Sequence, residues 1–297
     1  MNALRIGTRR SALAIAQANE IRELLEAQGM TAELVPMTTA GDVGADPKRS
    51  PSGMKGLFVD AISEALVAGS IDLAVHSAKD MPADEQDGTL IAAVPERRDP
   101  SDVLVTRAPA LPEGAVIGTS SPRRRAQLLR SFPGIRLADM TGNVDTRLQK
   151  LGAGDVDALC LAAAGLIRLG VAPQHVRSLT SAEMVPAPGQ GCLAVQTRAD
   201  DEATLASMAS LDHGPSRRAL EAERSLMWRL GGGCDLPLGA LATADQDIVR
   251  MVAVIAIPDG SRMVRAGGEA ADPEGTAAVT ARALIDAGAE SILEALG

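Results

Sequence analysis

An internal repeat constrains this chain more than any other feature. The first copy opens with LRIGTRRSALAIAQ, an apolar strand ending at Gly7-Thr8 and then a helix beginning near Ser11. The second opens with AVIGTSSPRRRAQL, a strand ending at Gly118-Thr119 and then a helix capped near Ser121. A short strand and a similar turn follow in each, LVPMTTAGD and RLADMTGNVD. Both copies then pass through a helix into an apolar strand, in GLFVDAISEALVAGSIDLAVHS and DTRLQKLGAGDVDALCLAAAG. Strand, helix, strand at this spacing predicts parallel sheets covered by helices. Two such α/β lobes side by side enclose a cleft, with ligands expected beyond the carboxyl ends of the strands.

From about Pro215 the pattern changes. SRRALEAERSLMWRLGGG reads as an amphipathic helix with Leu220, Met227 and Leu230 near one face and Gly231 as its C-terminal cap. Two strands around the turn Pro258-Asp259-Gly260 follow, and an Ala-rich helix starts after Pro273. That is a small α+β domain, joined by the loop GGGCDLP. A length of 297 residues exceeds what one core organises, which agrees with several domains. With two Phe, one Trp and no Tyr, the cores must rest on Ala, Leu, Val, Ile and Met.

The same scarcity removes stacking platforms for bases. A formal charge of −9 argues further against a nucleic-acid partner, because phosphate neutralisation needs a broad basic face. The strand-like start LRIGT, with no basic segment before an apolar run, indicates neither export nor a membrane span. Three Cys without paired spacing suggest reduced thiols in a cytoplasm. No His/Cys spacing supports a metal, and no glycine-rich phosphate loop supports a nucleotide.

Chemistry gathers first in GTSSPRRRAQL. Ser121 at the cap and Pro122 at the first helical position mark a helix start, yet three Arg follow where the helix dipole disfavours cations. An anion would offset that repulsion, and free N–H groups with guanidinium forks make a carboxylate or phosphate site. A solvated basic turn would read the same way. Arg9, Arg10 and Ser11 hold the corresponding junction of the first copy, and Arg147 and Arg168 add cations in the second. In VHSAKDMP, Lys79 and Asp80 come directly after an apolar strand, where a carboxylate beside cations stays ionised and can stabilise a developing cation; a surface ion pair is the plainer alternative. His76 reads as structural. Cys160 and Cys192 lie in apolar runs and read as core residues, whereas Cys234 in GGGCDLPLG is either a tolerated loop cysteine or a reactive one.

Together, IGTRRSALAIAQ, KGLFVDAI, DLAVHSAKDMP, GTSSPRRRAQL, GNVDTRL, LAAAGLIRLG, PAPGQGCLAVQ and LGGGCDLPLG closely resemble the hydroxymethylbilane synthase (porphobilinogen deaminase) family, in the family's order and nearly end to end. The resemblance implies two periplasmic-binding-protein-like lobes around a cleft plus the small C-terminal domain. Lobe one would comprise residues 1–95 with 192–209, lobe two 96–191, and the C-terminal domain 210–297, with hinges near 95 and 191. It implies a thioether from Cys234 to a dipyrromethane cofactor and porphobilinogen as substrate. Asp80 becomes the catalytic carboxylate and also, with Lys79, Thr119, Ser121, Arg123 and Arg124, a cofactor contact. Arg9, Ser11, Lys55, Ser77, Arg147, Arg168 and Gln190 become substrate contacts. A cytoplasmic monomer is implied as well.

Two departures stand out. The family usually has Arg immediately before GNV, where this chain has Thr141, and a second lysine shortly before the one matched by Lys55, where this chain reads SPSGM with Lys48 and Arg49 upstream. The rival readings are a non-enzymatic two-lobed anion-binding protein and a ligand-sensing domain of a transcription regulator. The GGGC loop counts against the first, and the lack of a helix-turn-helix segment against the second.

Overall fold

A computed structural model describes residues 3–39, 53–83, 86–231 and 236–296, with the backbone alone for 53–58. The first copy folds as β1 (Leu4–Arg9), α1 (Ala12–Glu26), β2 (Ala32–Met37), α2 (Gly53–Val67), β3 (Leu73–Ser77) and β4 (Thr89–Ala93). Next come β5 (Asp102–Thr106), β6 (Val116–Gly118), α3 (Pro122–Ser131), β7 (Arg136–Ala138), α4 (Val144–Ala153), β8 (Ala158–Ala162), α5 (Ala163–Leu169) and β9 (Val176–Ser178). The chain continues through β10 (Leu193–Arg198), α6 (Glu202–Met208) and α7 (Gly214–Arg229). It ends with β11 (Leu238–Ala244), β12 (Val249–Ala256), β13 (Met263–Ala270), α8 (Pro273–Asp286) and α9 (Glu290–Leu296).

The described residues divide into two compact units, one reaching Arg97 and resuming over Cys192–Arg217, the other holding Arg98–Gly191, Arg218–Gly231 and residues 236–296. In the first unit the sheet order is β2-β1-β3-β10-β4, and in the second it is β7-β6-β8-β5-β9. The repeat is visible in the register. β1 lies parallel between β2 and β3 with Gly7 opposite Val35 and Ala74, and β6 lies parallel between β7 and β8 with Gly118 opposite Ala138 and Leu159.

Outside these triplets the expectation of parallel sheets is corrected. β10 runs antiparallel to β3 and β4, and β5 antiparallel to β8 and β9. Only strands linked by a covering helix are held to the parallel sense. β10 enters its sheet only after the Arg98–Gly191 part of the second unit, so no such helix dictates its direction.

Cores without aromatics depend on close-set aliphatic stripes. On α1, Ala14, Ala18, Ile21 and Leu25 are buried at helical spacing, and the last three pack with Ile6, Leu73, Val75, Leu193 and Val195. In the second unit Leu104, Ile117, Leu128 and Cys160 pack on one side of the sheet and Val103, Val105, Leu159, Leu161 and Leu166 on the other. Each fully buried Leu or Ile contributes roughly 1.5–3 kcal/mol. The helix starts follow their caps: Ser11 accepts from the Ala14 amide at 3.3 Å, Ser121 from Arg124 at 3.4 Å, and Asp272 before Pro273 from Gly275 at 2.8 Å.

The α7 reading holds too, with Leu220, Met227 and Leu230 buried and Gly231 at φ +96° just past its end. The C-terminal sheet, however, has three antiparallel strands, β11-β12-β13, rather than two. The additional strand is LGALATA, whose Ala and Gly carry little β-propensity. Its neighbour β12 supplies the apolar face, and α8 covers the sheet with Ala277 and Leu284 buried.

Candidate active site

Where β3 ends, the chain makes a single 3-10 turn over Ala78–Asp80. The Ala78 amide donates to the carbonyl of Cys192, just before β10, at 3.1 Å, and Ala78 and Met81 are buried on either side. This pinning leaves Lys79 and Asp80 half-buried at the carboxyl end of the sheet. Asp80 lines a cavity of about 60 Å³ together with Arg9, Ser11, Gln17, His76 and Ser77. Four of the sequence-derived candidates of this unit, Arg9, Ser11, Ser77 and Asp80, are thus brought to one place. Lys55 and Cys234 lie outside the described side chains.

Gln17 was not among the expected site residues. Its amide donates to Ser77 Oγ at 2.6 Å and so orients that hydroxyl toward its neighbours. The signal available was a polar side chain in the buried stripe of an amphipathic helix. His76 is 6% exposed, and its Nε2 has no hydrogen-bond partner among the described residues. Burial pushes its pKa down to about 4, against the opposing pull of Gln196 and Asp80, so the ring is neutral near pH 7.

In the second unit, the anion that the arginine cluster demands is supplied first by the protein itself. Asp102, at the start of β5, is fully buried. Its Oδ2 accepts from Arg123 Nη1 at 2.7 Å, and its Oδ1 accepts from Arg124 Nε at 2.8 Å. Burial raises the carboxyl pKa, but the two guanidiniums outweigh it and hold the group below the usual carboxylate range. Arg123 and Arg124, read from the sequence as cations that need an anion nearby, thus meet one within the chain: both are buried and share one internal carboxylate. Only a lone acid opening an apolar strand, DVLVT, hinted at this.

A further cation lies near this pair. Arg147, on α4, donates from Nε to the Gly142 carbonyl at 2.7 Å and has no carboxylate partner among the described residues. Its pKa is lowered by partial burial and by the charge of Arg124. Thr119 is buried and its Oγ1 accepts from the Ser121 amide at 3.3 Å, while Ser121 caps α3. Arg168 donates to the Gly191 carbonyl at 3.1 Å. Gln190, 1% exposed, donates to the Pro100 carbonyl at 2.7 Å and to Asp102 Oδ1 at 3.2 Å. Thr141 is exposed at the turn before α4.

Such a donor set suits a ligand bearing carboxylates. Among the described residues no group of three His, Cys, Asp or Glu could hold a metal ion, and no helix is long and apolar enough to cross a membrane. Cys160 and Cys192 are buried and not joined in a disulfide.

Residues 4–206 match the family model described as "Porphobilinogen deaminase, dipyromethane cofactor binding domain", and residues 218–285 match "Porphobilinogen deaminase, C-terminal domain". A porphobilinogen deaminase of Roseiflexus castenholzii is 45% identical over 300 residues, covering 98% of this chain and 99% of that one. One from Acidithiobacillus ferrooxidans is 42% identical, covering 99% and 98%, and one from Brevibacillus brevis is 41% identical, covering 99% and 97%. Matched by both family models and by relatives above 40% identity along almost its whole length, the chain belongs to the porphobilinogen deaminase family.

Proposed function

We propose that this chain is a hydroxymethylbilane synthase, a transferase that condenses four porphobilinogen molecules with loss of ammonia and then releases a linear tetrapyrrole by hydrolysis. Membership of the family supports the activity, and the matched cofactor-binding domain supports a dipyrromethane group, here attached through Cys234. Bound there, that group supplies the free pyrrole carbon on which the chain grows. The observation carrying the reading is a local charge imbalance in the second unit: Arg147 has no carboxylate partner among the described residues and lies near enough to Arg124, itself paired with Asp102, for the two positive charges to interact. A ligand that is a row of acetates and propionates meets that imbalance.

The residues divide the work. Asp80 accepts pyrrole N–H groups and stabilises the positive charge that develops as ammonia leaves porphobilinogen. Arg9, Ser11, Lys55, Ser77 and Lys79 hold carboxylates and rings beside it. Thr119, Ser121, Arg123 and Arg124 serve the cofactor, and Arg147, Arg168 and Gln190 the substrate side. The three-part division into 1–95 with 192–209, 96–191 and 210–297 belongs to the same proposal. So does a monomeric state in the cytoplasm, where two buried cysteines outside any disulfide fit a reducing compartment.

Intact-protein mass spectrometry tests the reading. An adduct the mass of two pyrrole units, absent from Cys234→Ala, together with consumption of porphobilinogen by the wild type, is expected. An unmodified protein that binds porphobilinogen without consuming it supports an anion receptor instead.

A further inference from the structure

Asp102 does more than neutralise charge. Arg123 meets it through two nitrogens, Nη1 at 2.7 Å and Nη2 at 3.3 Å, and Nη1 also donates to the Val185 carbonyl at 2.7 Å. Arg124 meets it through Nε and Nη2, both at 2.8 Å, and donates from Nη1 to the Cys160 carbonyl at 3.0 Å. Each guanidinium plane is thereby fixed by one shared carboxylate and one backbone oxygen. A long flexible side chain held this way keeps one orientation.

The carboxylate is itself braced. Gln190 donates to Oδ1, and the neighbouring Gly189 amide donates to Glu223 Oε2 at 2.6 Å. Glu223, fully buried on α7, accepts from the Ala242 amide of β11 at 2.7 Å through its other oxygen. Two buried carboxylates on different elements are thus linked through the segment Gly189-Gln190, and the first of them carries the arginine pair.

We infer that Asp102 is a positioning residue of the anion site: it aims the guanidiniums of Arg123 and Arg124 at substrate-derived carboxylates, with Gln190 as its brace. The inference rests on the proposed activity for its ligand. It also makes a prediction opposite in sign to simple charge counting. Removing a negative charge from a cationic site should tighten the binding of an anion if charge alone matters. Removing the positioning group should weaken it.

The test compares wild type, Asp102→Asn and Asp102→Glu, each loaded with its cofactor, in steady-state turnover of porphobilinogen, with circular dichroism as the check of folding. In Asp102→Asn, KM is expected to rise about tenfold or more while kcat changes by less than about threefold, as loss of ligand orientation away from the reacting atoms requires. Asp102→Glu keeps the negative charge but displaces it by one methylene, so a smaller rise of about threefold is expected from misplaced guanidiniums, where charge counting expects none. A folded Asp102→Asn whose KM is unchanged or lower overturns the inference. If Asp102→Asn does not fold, an unchanged KM in Asp102→Glu overturns it instead. Wild type that fails to consume porphobilinogen overturns the proposed activity, a result distinguishable from either.

Discussion

Gly191 stands so close to Arg98 that a Cβ on it would lie 2.4 Å from the Arg98 carbonyl oxygen. The two residues also share a hydrogen bond, from the Arg98 amide to the Gly191 carbonyl at 3.3 Å. They flank the places where the chain passes from one compact unit to the other. With φ at +89°, Gly191 has a backbone that side chains disfavour as well as no room for one. Gly191→Ala is expected to destabilise the protein by about 3 kcal/mol or more. Gly152→Ala, inside α4 with nothing within 4 Å of the added carbon, is expected to stabilise it by about 0.5–1 kcal/mol. Urea unfolding of both variants beside wild type gives the comparison.

His76 makes stability depend on pH. Its folded pKa of about 4 lies below the ordinary value of 6.5, so as pH falls the unfolded chain takes up this proton first. Stability from this group is complete above pH 6.5 and is lost on acidification toward pH 4. Between pH 7 and 5 the loss is about 2 kcal/mol. His76→Gln should flatten that part of the profile, measured as unfolding free energy at the two pH values; an equally steep variant refutes the assignment.

Asp80 has no hydrogen bond within its unit among the described residues, and it is half-buried. Asp80→Asn is therefore expected to change stability by less than about 0.5 kcal/mol. Turnover should fall by about 10²–10³, because a carboxylate facing a developing cation acts in the transition state. Thermal melting beside kcat separates the two effects.

Arg147 is a partly buried cation with no acid beside it among the described residues. Arg147→Met should raise the stability of the protein by about 1 kcal/mol while weakening its hold on substrate. Melting temperature and KM should rise together in this variant, and a fall in both would contradict the account.

Thr141 sits exposed beside Gly142, whose carbonyl anchors Arg147. Thr141→Arg restores a guanidinium next to that cation and is expected to speed elongation and reduce the accumulation of partly elongated chains, followed by native mass spectrometry. Unchanged turnover and accumulation would show that the missing arginine does not limit this enzyme.

Much of the fold was legible in the residues alone. Ser11, Ser121, Pro122 and Pro273 announced their helix starts because caps act within one turn of chain. The apolar runs around Cys160 and Cys192 announced buried strands for the same local reason. β11 was missed because its small residues become a strand only beside β12. Gln17 was missed because its partner Ser77 is sixty residues away.

The arginines at the head of α3 mark the limit of such reading. Their misfit with the helix dipole is a local property, so the chain by itself announced that an anion must lie nearby. Which anion came first was settled by the pairing of β5 with β8 and by the return of the chain at Gln190, which bring Asp102 within 3 Å of residues 21 and 22 positions away. Periodicity and propensity describe neighbours along a strand or helix. A buried carboxylate shared by two guanidiniums exists only once the sheet has closed.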